Sequence, residues 1–466
     1  MPGTFFGIEI GRTGLAAAQI GQDVTGHNIA NSGTEGYTVE TAHQETLAYN
    51  KPSSRDTLVS VPLGSGVIVN QVLRARDQFL DAQVRDASSA TGLQSSQRDA
   101  LKQVGAAFGE PSNTGLNATL GKFFTSFHDL ANNPEDLGVR AATIQKGDGL
   151  ARVFQGIQQS LGAIGKSLSD QAKTDVQTIN DYGSQIAALN STIRQDSASG
   201  QSPNDLLDRR DLLVDKLAAL ANISTHNNSD GTVSIAIGSS DLVVGKDAYA
   251  VTLTGLTAGG DLKDGALAGV TAAQSQVAVY QGQLNSLAAS VVSQVNAVHS
   301  TGVGLDGTTT GLSFFTAMAG SEASTIAVNS VLQTHPEDVA AAVAPTLPAL
   351  VGAPGDGSNA TLLADIENKT VTTAGDPLQN TTILDFYKQT VADAGGRAAS
   401  AGTASASAGA SLTQLTQQRS SVTGVVTDTE MVNMMKYQRA YQASARVVQT
   451  MDDMLGTLMT GLFSGR

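Results

Sequence analysis

Six histidines stand at positions 27, 43, 128, 226, 299 and 335. Imidazole is the commonest metal ligand and the usual proton shuttle, so their spacing decides what chemistry is open. None sits in H-E-x-x-H, which excludes a zinc peptidase of that kind. The chain has no Cys, which removes disulfides, thiolate metal sites and thiol nucleophiles. Neither a Walker A loop nor a G-x-S-x-G elbow occurs. Gly302-Val303-Gly304-Leu305-Asp306-Gly307 satisfies G-x-G-x-x-G in letters. A dinucleotide fold needs a strand before it and a helix after it. Here a predicted helix precedes it and Thr308-Thr309-Thr310 follow, so it reads as a flexible loop. Asp205, Asp208, Asp211 and Asp215, with Arg209, Arg210 and Lys216, would make an acid–base or metal cluster. Leu206, Leu207, Leu213, Val214, Leu217 and Leu220 alternate with them in helical register. That pattern describes a solvated face over a buried one. No catalytic, cofactor-binding or metal-ligating residue is assigned, and the expectation is a structural protein without enzymatic activity.

The elements that such residues would need point the same way. The chain has 466 residues, enough for two to four domains. Its formal charge of −14 opposes nucleic-acid binding, which rewards a basic face. No run of 18 apolar residues is present, so no membrane span is expected. Glu9 and Arg12 interrupt the first apolar stretch and no basic segment precedes it. The start therefore does not read as a cleavable signal, and export would use another route.

A helix is predicted from Ile8 to Ala30. Ile8, Leu15, Ala18 and Ile29 share one face, and Ile10, Ala17, Ile20 and Val24 lie roughly opposite. Two opposed apolar stripes call for neighbours on both sides. Gly33 is placed to end this helix in the left-handed conformation. Residues 40–75 read as extended chain and short strands, and Arg76 to Phe108 as helix. Leu116, Leu120, Phe123, Phe124, Phe127 and Leu130 step along one helical face. The longest pattern runs from Leu150 through Phe154, Leu161, Ile179 and Ile186 to Ile193 in steps of three or four. Its partners are sought in Val277, Tyr280, Leu284, Leu287, Val291 and Val298, and in the stretch from Ile383 to Gln418. Between the helices the period changes: Thr232 to Ile237, Leu242 to Val244, Ala250 to Leu253 and Thr325 to Asn329 read as strands. Residues 394–411 are almost all Ala, Ser, Gly and Thr, and read as helix because Ala packs closely.

The C-terminal helix carries a heptad seam. Met434, Tyr441, Val448, Leu455 and Leu462 recur every seven residues, with Tyr437, Ser444, Met451 and Leu458 three later. Thr427 and Glu430 form a T-x-x-E capping box at its start. A seam at the chain terminus is expected to pack on other subunits. Both terminal helices are then expected to be unpaired in the monomer and ordered by neighbours, whose contacts offset the ordering entropy.

Several stretches together resemble a known family. Asn28-Ile29-Ala30-Asn31-Ser32-Gly33-Thr34-Glu35-Gly36-Tyr37-Thr38 resembles the N-terminal motif of bacterial flagellar rod, hook and hook-associated axial proteins, with Asn28, Asn31, Gly36 and Tyr37 as its marked positions. Tyr437-Gln438-Arg439-Ala440-Tyr441-Gln442-Ala443, with Val447-Val448-Gln449-Thr450-Met451-Asp452, resembles the common C-terminal motif. The segments Phe123–Asp136 and Asn204–Val214, and Ser421-Val422-Thr423-Gly424-Val425, are similar to the hook–filament junction members of that family. Thr429 separates Asp428 from Glu430 where the family often has consecutive acids. The outer insert is also short for the family.

The resemblance implies an axial flagellar subunit that joins hook to filament, with a hook or distal-rod subunit as the alternative. It implies a mainly α fold with a β-rich insert, terminal helices pairing as a coiled coil, and a long-helix bundle. Three domains are expected: residues 1–40 with 425–466 for assembly; 41–221, 262–300 and 376–424 as the bundle; 222–261 and 301–375 as a β-rich outer domain. Ile8, Leu15, Ile20, Val24, Ile29, Met434, Tyr437, Tyr441, Val448, Met451, Leu455, Leu458 and Leu462 are the expected subunit-packing residues. The implied partners are further copies in a ring, hook protein, a second hook-associated junction protein, the type III export apparatus, and an export chaperone on the C-terminal helix. The implied location is extracellular, with no cofactor, nucleic acid or membrane insertion.

Overall fold

The structure is a computed structural model and describes residues 6–47, 64–344, 353–372 and 378–463. In chain order it runs α1 (Phe6–Ala30), β1 (Glu40–Thr46), β2 (Val67–Arg74), α2 (Gln78–Phe108), α3 (Leu116–Asn132), α4 (Leu137–Ala198) and α5 (Asn204–Leu220). A meander follows: β3 (Ile223–Asn227), β4 (Val233–Ile237), β5 (Ser240–Val244) and β6 (Asp247–Ala248). Next come α6 (Leu253–Ala258), α7 (Ala266–His299), β7 (Gly302–Val303), β8 (Phe315–Thr316), α8 (Glu322–Thr325), β9 (Ala327–Val328), α9 (Ser330–Thr334) and β10 (Ala342–Val343). The chain closes with α10 (Ser358–Asp365), α11 (Ile383–Thr423) and α12 (Thr427–Phe463). The fold is mainly α, with small sheets between long helices, as the apolar spacing predicts.

The chain divides into two compact units. One holds residues 1–90, 177–263 and 409–466; the other holds 91–176 and 264–408. The reading of 222–261 and 301–375 as one β-rich insert therefore differs from this division, because the first segment lies in one unit and the second in the other. The reason is local: β3 to β6 satisfy one another as a four-stranded antiparallel meander, whereas β7 pairs with β10 and makes one bridge to Thr310, and β8 pairs with β9. Residues 250–253 are not a strand. Val251 exchanges both backbone hydrogen bonds with the Asn180 side chain of α4, at 2.8 and 3.0 Å, and Thr252 caps α6.

In the second unit the α3 face buries Leu116, Leu120, Phe123, Phe124, Phe127 and Leu130. Phe314 and Phe315 complete this aromatic cluster, with ring centroids 4.9 to 5.6 Å apart. Within the same unit α7 packs on α4, where Gly165 faces Val277 and Gly162 faces Gln281. The buried stripe on α7 is Val277, Tyr280, Leu284, Leu287 and Val291, then Val295 and His299 rather than Val298. The 62 residues of α4 would span roughly 93 Å at 1.5 Å per residue, longer than the apolar run suggested. The Ala-rich stretch 394–411 is helical, inside α11. The six-residue glycine segment 302–307 enters a turn, where Asp306 accepts from the Thr308 and Thr309 amides and hydroxyls.

Candidate assembly interface

In the first unit α1 and α12 run antiparallel and pair with each other. The contact face of α1 is made of its smallest residues. A Cβ on Gly7 would strike Met451, on Gly11 Val448, on Gly14 Ser444 and on Gly21 Tyr437, each at 2.5 to 2.8 Å. The series continues through Ala18, Thr25 and Asn28, all buried, in steps of three and four. Without side chains in the way, the two backbones approach closely and the larger α12 residues fill the groove. Tyr437, Val448 and Met451 are thus the α12 side chains of the seam, with Met434, Ser444 and Leu455 also half-buried.

This arrangement corrects the expectation of unpaired ends, since each terminal helix has the other as a partner. Many of the expected subunit-packing residues lie outside the tightest contacts of this pair. Ile8, Leu15, Val24 and Ile29 are only half-buried and Ile20 is exposed. Tyr441 and Leu458, placed in the heptad, are 40% and 53% exposed. Met431, Val432, Met435, Met454 and Met459 are more exposed still or nearly so. The side chain of Leu462 lies outside the described residues. A search for spaced Ile and Leu could not see a seam built from glycine. The signal was there as Gly at 7, 11, 14 and 21, a small-residue heptad.

At one end of the pair the family motif closes a hydrogen-bond network. Asn28 is fully buried. Its Nδ2 donates to the Glu40 carbonyl and to Glu430 Oε2, both at 2.9 Å. Its Oδ1 accepts from Tyr37 Oη at 2.8 Å and from the Glu40 amide at 2.9 Å. All four hydrogen-bonding positions of the amide are therefore used. Burial, then the nearby Glu40 carboxylate, pushes the Tyr37 phenol well above its ordinary value, so it stays a donor. Burial likewise raises Glu40. Asn31 donates to the His27 carbonyl and accepts from Thr34, closing the turn after α1. The left-handed residue in that turn is Gly36, with φ +83°, and not Gly33; Gly36 packs against Leu212 of α5. Glu430 does not form the expected capping box. Its carboxylate goes to Asn28 and to Asn433, and α12 begins at Thr427 itself.

The acidic residues of α5 are a second correction. Asp205, Arg209 and Lys216 are exposed as the pattern predicts, but Asp208 and Arg210 are buried and Asp211 and Asp215 nearly so, rather than on a solvated face. Asp208 accepts from the Thr38 amide at 2.8 Å and from Arg74 at 2.6 Å. Arg76 bridges Asp211 and Asp81, at 2.7 and 3.3 Å. Arg85 and Arg419 both meet Asp215, at 2.8 and 2.6 Å. Burial raises the Asp211 carboxyl, but Arg76 and Arg74 outweigh it and hold it below the usual range. Asn204 donates to the Val72 carbonyl and Arg210 to the Gly231 carbonyl. The segment Asn204–Val214 is thus a clamp on the β1–β2 hairpin and the base of α1. The partners of the α5 carboxylates come from β2, the turn after it, α2 and α11, too far along the chain for a local pattern to reveal them. A cleft of about 480 Å³ beside it is lined by Arg74, Arg76, Arg85, Arg210, Asp81 and Asp211. Among the described residues no helix is long and apolar enough to cross a membrane.

Comparison with known proteins accords with this geometry. Residues 101–315 match the model of the flagellar hook-associated protein FlgK helical domain. Residues 8–38 match that of flagella basal body rod proteins, and 416–461 that of the flagellar basal body rod FlgEFG C-terminal region. The chain is 30% identical to flagellar hook-associated protein 1 of Bacillus subtilis (strain 168) over 516 aligned residues, covering 100% of both. It is 25% identical to the Escherichia coli (strain K12) protein of that name, covering 96% of this chain and 98% of that one. The Salmonella typhimurium (strain LT2) protein is 32% identical over 48% of this chain and 40% of its own. The solved flagellar hook junction protein FlgK from Burkholderia pseudomallei shares the fold, with a TM-score of 0.61 at 20% identity, covering 73% of this chain and 100% of that one. The chain belongs to the flagellar hook-associated protein 1 family, the structural subunits of the bacterial flagellum at the junction of hook and filament.

Proposed function

We propose that the paired terminal helices are the part that assembles, docking as a preformed antiparallel unit onto equivalent pairs of neighbouring copies in a ring. The carrying observation is the division of labour on α1 and α12. Small residues hold the pair together, and the large apolar residues, Ile20, Met435, Tyr441, Met454 and Leu458 among them, are left outside it. Burying such a side chain fully is worth about 1.5–3 kcal/mol, so each half-buried one has roughly 1 kcal/mol still to gain from a neighbour. Residues 1–40 with 425–466 form the assembly layer in this reading. The two flanking partners are hook protein on one side and a second junction protein on the other. The same apolar face of α12 would be shielded before assembly by an export chaperone, and the protein would leave the cell through the type III route. No enzymatic activity is proposed, because the polar clusters are occupied in holding the fold.

Removal of residues 428–466 tests this. The second unit contains none of them and is expected to keep its near-ultraviolet circular dichroism. The truncated protein should bind no chaperone, and electron microscopy should find hooks without filaments and flagellin in the medium. Normal filaments on cells carrying only the truncated protein would refute the proposal.

A further inference from the structure

The network around Asn28 also decides where a proton sits on a neighbouring ring. Tyr37 Oη donates its one proton to Asn28 Oδ1 at 2.8 Å and lies 3.1 Å from His27 Nδ1. With that proton engaged, the phenol can only accept from the ring. The neutral imidazole is then the Nδ1–H tautomer, and Nε2 carries a bare lone pair. Nε2 stands 3.9 Å from Asp205 Oδ2, and Glu40 Oε2 stands 3.8 Å from Nδ1. One ligand atom from each of His27, Glu40 and Asp205 lies within 4.8 Å of the others. A lone pair and carboxylates brought this close repel one another unless a second proton on the ring or a bound cation lies between them.

The three side chains come from separately anchored elements: the last turn of α1, the start of β1 and the first turn of α5. Glu40 is buried, His27 is half-buried and Asp205 is exposed. They face a cleft of about 610 Å³ whose wall also carries Asp196, Gln201 and Asn204, which leaves room for water ligands. We infer that His27, Glu40 and Asp205 bind a divalent transition-metal ion of the Zn²⁺ class. One imidazole nitrogen with two carboxylates is a donor set of that kind, whereas Ca²⁺ takes six to eight oxygens. Zinc ligands at about 2.0–2.1 Å from the metal lie within about 4 Å of one another; Nε2 and Asp205 Oδ2 already stand 3.9 Å apart, and no separation in the trio exceeds 4.8 Å, so small side-chain shifts close the site. Tyr37 is the positioning residue that orients the ring through Nδ1, as outer partners of metal-bound histidines do. The bound ion would bolt the base of α1 to β1 and α5. This inference stands apart from the assembly proposal, since it concerns the base of α1 and not the outward face of the pair.

The test is isothermal titration of ZnCl₂ into the full chain after EDTA treatment and dialysis. A single saturable site is expected. His27→Gln and Asp205→Asn should each weaken it at least tenfold, and Tyr37→Phe about tenfold. His43→Gln, whose ring lies 3.5 Å from Glu45 and outside the trio, should leave it unchanged. Asp205 is exposed, so its variant keeps the measurement interpretable if a His27 variant fails to fold. Absence of a saturable site, or equal affinity in the Asp205→Asn chain, would overturn the inference.

Discussion

Asn28 uses both donors and both acceptor positions in a fully buried site, and one of its partners is a carboxylate 402 residues away. Replacing it with Ala strands the Glu430 carboxylate and the Glu40 backbone groups. A buried group left without its partner costs about 1–3 kcal/mol, so Asn28→Ala should lower the stability of its unit by about 2–3 kcal/mol in urea denaturation. His299 supplies a second residue-scale outcome. Burial, partly offset by its hydrogen bond to the Leu312 carbonyl, lowers its pKa from 6.5 to about 4. Its Nε2 accepts from the Ala340 amide at 3.0 Å, which requires the neutral ring. The unfolded chain therefore binds more protons than the folded one between pH 4 and 6.5. Stability of the second unit should be complete above pH 6.5, fall as the pH drops toward 4, and lose on the order of 3 kcal/mol. Denaturation at pH 7 and pH 5 should show this slope, and His299→Asn should flatten it. At this scale the sequence marked Asn28, Gly36 and Tyr37 as a motif but not what they do. Glu430 and Leu212, which close this motif, are distant in the chain like the arginines that hold Asp208 and Asp215, and a helical wheel drawn on α5 alone assigns such aspartates to solvent.

The elements were more legible where the apolar period was large and wrong where small residues did the packing. The spaced Leu and Phe of α3 and the long run of α4 each became a helix with that stripe buried or half-buried, and the heptads of α12 became a helix whose stripe is only partly covered, Tyr441 and Leu458 being exposed. The strand expected at 250–253 was lost because Asn180 offered Val251 both of its backbone partners. The α1 seam was not foreseen for a different reason. Its contact face is glycine, which no hydrophobic count scores, so the sequence offered only the isoleucines and leucines of α1, as residues that pack on other subunits. A substitution separates the two readings. Gly to Ala inside a helix ordinarily gains about 1 kcal/mol of helix propensity. At Gly11 and Gly21 the new methyl meets Val448 and Tyr437 at 2.5 Å. The double variant Gly11→Ala, Gly21→Ala should therefore speed amide exchange in α12 by an order of magnitude or more, despite the better propensity of α1. Gly26→Ala has open space and should slow it or leave it unchanged.

On the scale of the whole molecule, most of the chain's polar clusters serve to hold elements in place, and its outward apolar residues concentrate on one helix pair. That pattern belongs to a subunit whose work is done by packing on its neighbours. The low share of charged residues, 15%, agrees with a surface meant to be covered in part. The claim that joins these scales is that the outer face of the α1–α12 pair is what neighbouring copies bury. Met435 and Leu458 are both more than half exposed, so charges there do not disturb the pair. The direct measurement is electron microscopy of cells whose only copy carries Met435→Lys and Leu458→Lys, with the secreted variant purified for circular dichroism. The account predicts a helical, soluble protein in the medium and hooks that bear no filaments. Full-length filaments on those hooks would contradict it.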